Sequence, residues 1–281
     1  METLIPSRLS TLGHPHRLAI FRLLMRRYPD RVPAGELADA LDLKPSTLSA
    51  YLATLMQVGL VSQERVGTSL RYAVEMTEAQ RTVNFLLHDC CRGRPEFCSP
   101  VSFPAIKGTS PASDRKYKVL LICTGNSARS IFAESILRKK ARDRFEVFSA
   151  GTKPRSDLNP FALEVLEQKG HDISVLRSKN LAEFQRSGAP EFDFVFTVCN
   201  QAANEECPVL TGHPVSAHWG VADPVKAHGT HVEKRLAFQK AYGALQNRIM
   251  AFTALPIMSF DRISLQKAMD DIGRTSAGAS A

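Results

Sequence analysis

An apolar run, Tyr117-Lys118-Val119-Leu120-Leu121-Ile122, leads into Cys123-Thr124-Gly125-Asn126-Ser127-Ala128-Arg129-Ser130, and Phe132, Ala133, Ile136 and Leu137 follow on one helical face. The run reads as a buried strand and the segment after Ser130 as an amphipathic helix. A strand that ends on a cysteine and turns through a short loop into a helix gathers backbone N–H groups at one point, where the helix dipole favours negative charge. The same field is expected to lower the Cys123 pKa from about 8.5 toward neutrality and make it a thiolate nucleophile. Arg129 offers a planar fork of donors to a tetrahedral oxyanion. Thr124, Gly125, Asn126, Ser127, Ala128 and Arg129 thus form the expected oxyanion cradle.

Strand and helix alternate beyond this loop, which predicts a parallel sheet with crossover helices. Phe145–Ser149 is the second strand, Phe192–Val198 the third and Val215–Trp219 a short fourth. A long closing helix carries Phe238, Tyr242, Leu245, Ile249 and Phe252 at 4-3-4-3 spacing, and a last helix spans about 259–272. Catalytic groups of such sheets sit at the carboxyl ends of the strands. Cys123, Cys199 and Asp223 all fall there. An Asp-Pro pair such as Asp223-Pro224 is by itself most often a turn, and only its place at a strand end gives its carboxyl weight as a proton donor. Cys199 and Cys207 separate hydrolase from reductase. Water resolves a phosphatase's covalent intermediate, whereas a two-electron reduction needs one thiol to attack Cys123 and another to carry the disulfide outward.

The loop resembles the phosphate-binding loop of the low-molecular-weight protein tyrosine phosphatase superfamily. The stretch from Cys199 through His218-Trp219-Gly220 to Asp223-Pro224 resembles its thioredoxin-coupled arsenate reductases, over about residues 117–274. The resemblance implies arsenate as substrate and a relay through Cys123, Cys199 and Cys207, with Ser130 on the thiolate and Asp223 as acid. Thioredoxin, or glutaredoxin with glutathione, would be the reductant, with no organic cofactor. Asn126 and Glu134 match positions where some relatives hold a monovalent cation such as K+ that orders the loop. Ala128 departs from relatives with an extra loop cysteine, which is not part of the relay.

The first third of the chain reads differently. A core helix begins at Pro15 with Leu18, Ile20, Phe21, Leu23 and Leu24, and a short helix spans about 33–41. After a turn at Leu43-Lys44-Pro45-Ser46, a helix over 47–58 places Leu48, Leu52 and Leu55 on one face. Its other face is small and hydrogen-bonding, as close approach to a major groove requires. Two strand-like runs around Val66-Gly67-Thr68-Ser69 make a hairpin wing that brings Arg65 and Arg71 to phosphates. The expected DNA-contacting residues are Lys44, Ser46, Thr47, Ser49, Tyr51, Arg65 and Arg71. Another helix over about 78–89 completes a pattern that, with Leu12-Gly13-His14-Pro15-His16-Arg17-Leu18, resembles the winged-helix repressors of the ArsR/SmtB family over roughly residues 5–98. That resemblance implies operator DNA as partner and a homodimer. Ala50-Tyr51 stands where such repressors often carry histidines or other polar residues, so no operator sequence follows.

Cys90, Cys91 and Cys98 are close enough to offer a trigonal set of thiolates to As(III), the expected inducer, or to Sb(III). Zinc would want a fourth donor, which His88 or Asp89 supplies. The run Asp89-Cys90-Cys91 through Cys98 resembles the inducer-binding end of some arsenite-sensing repressors.

Ser99 to Arg115 is rich in proline and serine without periodicity, an interdomain linker. The expected organisation is a mainly α winged helix-turn-helix domain over 1–98, a linker over 99–115, an α/β domain with a four-stranded parallel sheet over 116–275, and a disordered tail over 276–281. Charge alone would not single out the first domain: 12 basic and 10 acidic residues up to Cys98 leave most of the net +8 to the rest. The start of the chain has no signal pattern and no apolar run approaches about 18 residues, so a cytoplasmic protein without membrane contact is expected. In that compartment thiols stay reduced, and six cysteines point to chemistry. The reading is an arsenite-responsive repressor joined to an arsenate reductase. Its rivals are a phosphatase with a regulatory domain and a non-catalytic oxyanion sensor.

Overall fold

A computed structural model describes residues 4–90, 115–186, 188–205 and 214–274. The chain divides into two compact units, Met1–Phe103 and Pro104–Ala281.

The first unit begins with a helix the sequence reading did not assign, α1 (Leu4–Leu12). It is held by Arg8, which is 4% exposed, donates to the carbonyl of Val58 at 2.9 Å and pairs with Glu78. Helix α2 (Pro15–Arg27) starts on a proline whose missing N–H costs nothing at that position. A two-residue strand β1 (Val32–Pro33) leads to α3 (Ala34–Leu41), which ends on Asp42 in the left-handed region at φ 51°. That residue makes the turn into α4 (Pro45–Gln57), whose Leu48, Leu52 and Leu55 are buried as their spacing predicts. The hairpin β2 (Val61–Val66) and β3 (Ser69–Val74) pairs Val66 with Ser69 across Gly67-Thr68, and Gly67 takes the positive φ of 62° at the first turn position. The sheet order is β1-β3-β2. Helix α5 (Met76–Asn84) passes into a π-helical turn, Phe85–Cys90. One apolar cluster, from Ile20 to Val74, fills the unit.

In the second unit, four parallel strands lie in the order β5-β4-β6-β7: β4 (Tyr117–Cys123), β5 (Phe145–Gly151), β6 (Phe194–Thr197) and β7 (Val215–His218). Register runs from Tyr117 opposite Phe145 to Cys123 opposite Gly151, so the nucleophile candidate and the end of β5 share one edge. The flanking helices are α6 (Arg129–Lys140), α7 (Pro160–Gln168), the five-residue α8 (Asn200–Asn204), α9 (His231–Thr253) and α10 (Arg262–Arg274). All five apolar residues of the 4-3-4-3 stripe on α9 are buried. Trp219 stacks on Phe196 at 3.7 Å between ring centres, and its indole N–H reaches the Met269 carbonyl at 3.1 Å, tying the end of β7 to α10. The core of this unit shares no residue with that of the first.

Candidate active site and nucleic-acid face

Cys123 closes β4 and is 3% exposed. Its sulfur accepts the Asn126 N–H at 3.0 Å and lies 2.9 Å from the Ser130 hydroxyl. The loop is held from outside. Carbonyls of Cys123, Thr124, Gly125 and Ser127 accept the N–H groups of Thr152, Lys153, Arg155 and Asn159 at 2.9–3.1 Å. With those carbonyls turned to the neighbouring segment, Ala128 stands as the N-cap of α6 and supplies no side-chain cap. The first N–H groups of a helix have no intrahelical acceptor, so the cradle is set for an anion. Asn126 sits at φ 40°, and a Cβ on Gly151 would come within 2.6 Å of the Thr124 carbonyl oxygen. Only glycine lets β5 approach this loop so closely.

Two features of the loop differ from the sequence expectation. Burial pushes the Cys123 thiol up, helped by the nearby Cys199, and this outweighs Ser130, Arg129 and the Asn126 N–H, which pull it down. The expectation of a thiol lowered toward neutrality took the loop's field at full strength and left out desolvation. It also left out Arg129's engagement: the guanidinium pairs with Asp223 at 2.9 Å and donates to the Val221 carbonyl at 3.1 Å. Asp223 follows β7 and caps a short turn by accepting the Val225 N–H at 3.2 Å. The strand ends thus bring the general-acid candidate to the arginine.

Cys199 follows β6 as the N-cap of α8. It is 1% exposed, with its sulfur 3.4 Å from both the Thr124 hydroxyl and the Ala202 N–H. Cys123, Ser130, Arg129, Asp223 and Cys199 therefore converge. Cys207 lies outside the described residues.

Beneath the loop runs a polar path that the sequence only hinted at. The Asn126 amide N–H2 donates to Ser130 and to Ser149, both at 2.8 Å, and its carbonyl accepts the Lys179 N–H at 2.7 Å. The Ser149 hydroxyl donates to Glu134, which is 1% exposed. Glu134 also pairs with Lys179 at 2.9 Å and Arg138 at 2.6 Å. Asn126 and Glu134 were expected to favour a bound monovalent cation. The donor set does not fit one, because a protein ammonium and a guanidinium already neutralise the carboxylate.

In the first unit, Lys44, Ser46 and Ser49 are exposed and Thr47 half-buried on the front of α4. The Ser49 hydroxyl donates to Pro45 within its own helix at 2.8 Å. Tyr51 lies against His14 and His16, with ring centres at 4.9 and 5.7 Å. The two histidines beside the helix front went unassigned in the sequence reading, although they belong to the phrase that opens α2. Register pairs Arg65 with Leu70 and Arg71 with Glu64, so the two wing arginines point to opposite faces of the hairpin. Cys90 ends the π-helical turn with an exposed, free thiol. Cys91 and Cys98 lie outside the described residues, as does the linker up to Asp114, and nothing is described of the His88 side chain. Among the described residues no helix is long and apolar enough to cross a membrane.

Comparison with known proteins gives two family matches: low molecular weight phosphotyrosine protein phosphatase over residues 118–256 and a helix-turn-helix domain over 12–64. An arsenate reductase of Shouchella clausii is 37% identical over 134 residues, 48% of this chain and 93% of that one. One from Bacillus licheniformis is 37% identical over 137 residues, 49% of this chain and 95% of that one. The solved structure "An arsenate reductase in the phosphate binding state" aligns at 24% identity over 49% of this chain and 97% of that chain, with a TM-score of 0.38.

Proposed function

The chain belongs, through its C-terminal unit, to the low molecular weight phosphotyrosine protein phosphatase family, with an ArsR-type helix-turn-helix domain before it, and we propose that it reduces arsenate to arsenite and represses transcription in response to arsenite. The observation that carries the catalytic reading is Cys199, a second buried thiol against the Thr124 side of the loop that holds Cys123. Hydrolysis has no use for it.

Arsenate settles on the loop N–H groups and draws Arg129 from Asp223, since a tetrahedral dianion offers the fork more charge than one carboxylate. The Cys123 sulfur attacks arsenic, and the thiol proton leaves with an arsenate hydroxyl as water, carried by Asp223. A thiol raised by burial suits this route, because the proton it holds is the one the leaving oxygen needs. The Ser130 hydroxyl hydrogen-bonds the sulfur as charge develops. Cys199 attacks the Cys123 sulfur; the sulfur–arsenic electron pair stays on arsenic, which leaves as arsenite. Cys207 then attacks Cys199, frees Cys123 and leaves a Cys199–Cys207 disulfide for thioredoxin, or glutaredoxin with glutathione, to reduce. Five residues make a marginal helix, and α8 can unwind to let Cys199 meet Cys207.

Lys44, Ser46, Thr47, Ser49, Tyr51 and the wing arginines, one on each face, meet operator DNA in a homodimer. As(III) held by Cys90, Cys91 and Cys98 releases it, so the enzyme's product is the sensor's ligand. The proposed compartment is the cytoplasm, where these thiols stay reduced.

Arsenate-dependent oxidation of NADPH with thioredoxin and thioredoxin reductase tests the enzyme. Turnover is expected in the wild type and lost in Cys199→Ser. Hydrolysis of p-nitrophenyl phosphate without arsenate-dependent oxidation, after a glutaredoxin system has also failed, would point to the phosphatase. For the sensor, arsenite is expected to release operator DNA from the wild type but not from Cys90→Ser/Cys91→Ser.

A further inference from the structure

Lys179 is 7% exposed and 56 positions from Cys123 in sequence, yet a continuous set of hydrogen bonds joins them. Its ammonium meets Glu134 at 2.9 Å and the Arg177 carbonyl at 3.1 Å. Glu134 accepts from Ser149, Ser149 from Asn126 at 2.8 Å, and Asn126 donates to Ser130 at 2.8 Å, 2.9 Å from the Cys123 sulfur. The Lys179 peptide N–H holds the same Asn126 through its carbonyl at 2.7 Å. Asn126 is the loop residue at positive φ, so its amide must be fixed from several sides for the loop to keep its shape.

We propose that Lys179 is the resident cation of the oxyanion loop, a positioning residue that orders Asn126, Ser130 and Cys123 where a bound monovalent metal ion would otherwise serve. The Glu134 carboxylate explains why the ion is excluded. One oxygen takes Lys179 and Ser149 and the other takes Arg138, so an arriving ion would find the charge neutralised and an ammonium beside it. A cleft of about 360 Å³ over this pair is lined by five basic side chains against two carboxylates, which repels a metal cation on its way in. The path runs from the ammonium to the nucleophile, and the backbone bond from Lys179 to Asn126 is independent of the side chain. Changing the side chain therefore isolates the charge.

The inference rests on Cys123 being the reacting thiol, and its readouts are independent of which oxyanion turns over. Iodoacetamide alkylation of Cys123 against pH and thermal melting are measured in KCl and in tetramethylammonium chloride of equal strength. Both are expected to be the same in the two salts for the wild type. Lys179→Met should move the alkylation profile upward, slowing reaction near neutral pH about tenfold. Lys179→Arg should keep most of the wild-type profile, and methylammonium should restore Lys179→Ala. Ser149→Ala, which keeps the ammonium and cuts the path, should shift the profile in the same direction. A saturable gain in wild-type melting temperature with K+ would overturn the proposal in favour of a metal site. A folded Lys179→Met with an unshifted profile, no rescue of Lys179→Ala by methylammonium, or an unshifted Ser149→Ala would also overturn it. Loss of arsenate turnover with these results intact would instead count against the reductase.

Discussion

Cys123 shows how burial and hydrogen bonding compete at one sulfur. Desolvation disfavours the thiolate, while the Ser130 hydroxyl, the Asn126 N–H and the Arg129 charge favour it, and burial wins. The alkylation rate of the ligand-free protein should therefore keep rising with pH beyond the range of an ordinary exposed cysteine. Ser130→Ala removes one of the three stabilising groups. Hydrogen bonds to charged groups are worth about 1.5–3 kcal/mol, so its profile should move further up and neutral-pH alkylation should slow by at least about tenfold. An unchanged profile would mean the Ser130 contact does not reach the thiolate. The places of Cys123, Arg129 and Asp223 beside strand ends were legible in the sequence, because strand and helix alternation fixes where each strand ends; the roles of nucleophile, oxyanion fork and acid are those proposed for them. The Arg129–Asp223 pair was not legible, since two residues far apart in sequence meet only after β7 returns beside β6.

At the scale of elements, short-range patterns carried most of the information. The apolar stripes of α4 and α9, the hairpin around Gly67 and the four parallel strands follow from periodicity and turn chemistry. Helix α1 escaped because what anchors it is long-range: the buried Arg8 reaches the Val58 carbonyl and Glu78, far from it in sequence. Asp270 on α10 is a second polar group whose setting only packing reveals. Burial raises its pKa to about 6, against the lowering effects of Gln266 and Arg274. A carboxyl raised in the folded state stabilises it below the unfolded pKa, near 3.8, and that contribution is lost as pH rises through 6. Asp270→Asn should therefore melt higher than wild type at pH 7–8 and flatten the fall in stability between about pH 4 and 6. Melting curves across that window check it. An unchanged slope would show that Asp270 does not govern it.

For the whole molecule, separate cores predict separate unfolding. Calorimetry should show two transitions, and inorganic phosphate, the probe for the proposed oxyanion loop, should raise only that of the C-terminal unit. Leu52→Ala, a buried truncation worth about 2–5 kcal/mol, should lower only the other. A single transition moved by both would contradict independent units. By itself the sequence determined most of the segments that become strand and helix, α1 and the two-residue β1 excepted, where one composition gives way to another, and which residues carry reactive groups. Those properties are local, set by backbone preference, apolar period and side-chain chemistry. Tertiary structure alone decided that the thiol is raised rather than lowered, that Arg129 rests on Asp223, and that Lys179 stands where a metal cation was expected. Each depends on burial or on charges brought together from distant positions, and electrostatic energies are fixed by distances in space that no spacing along the chain specifies.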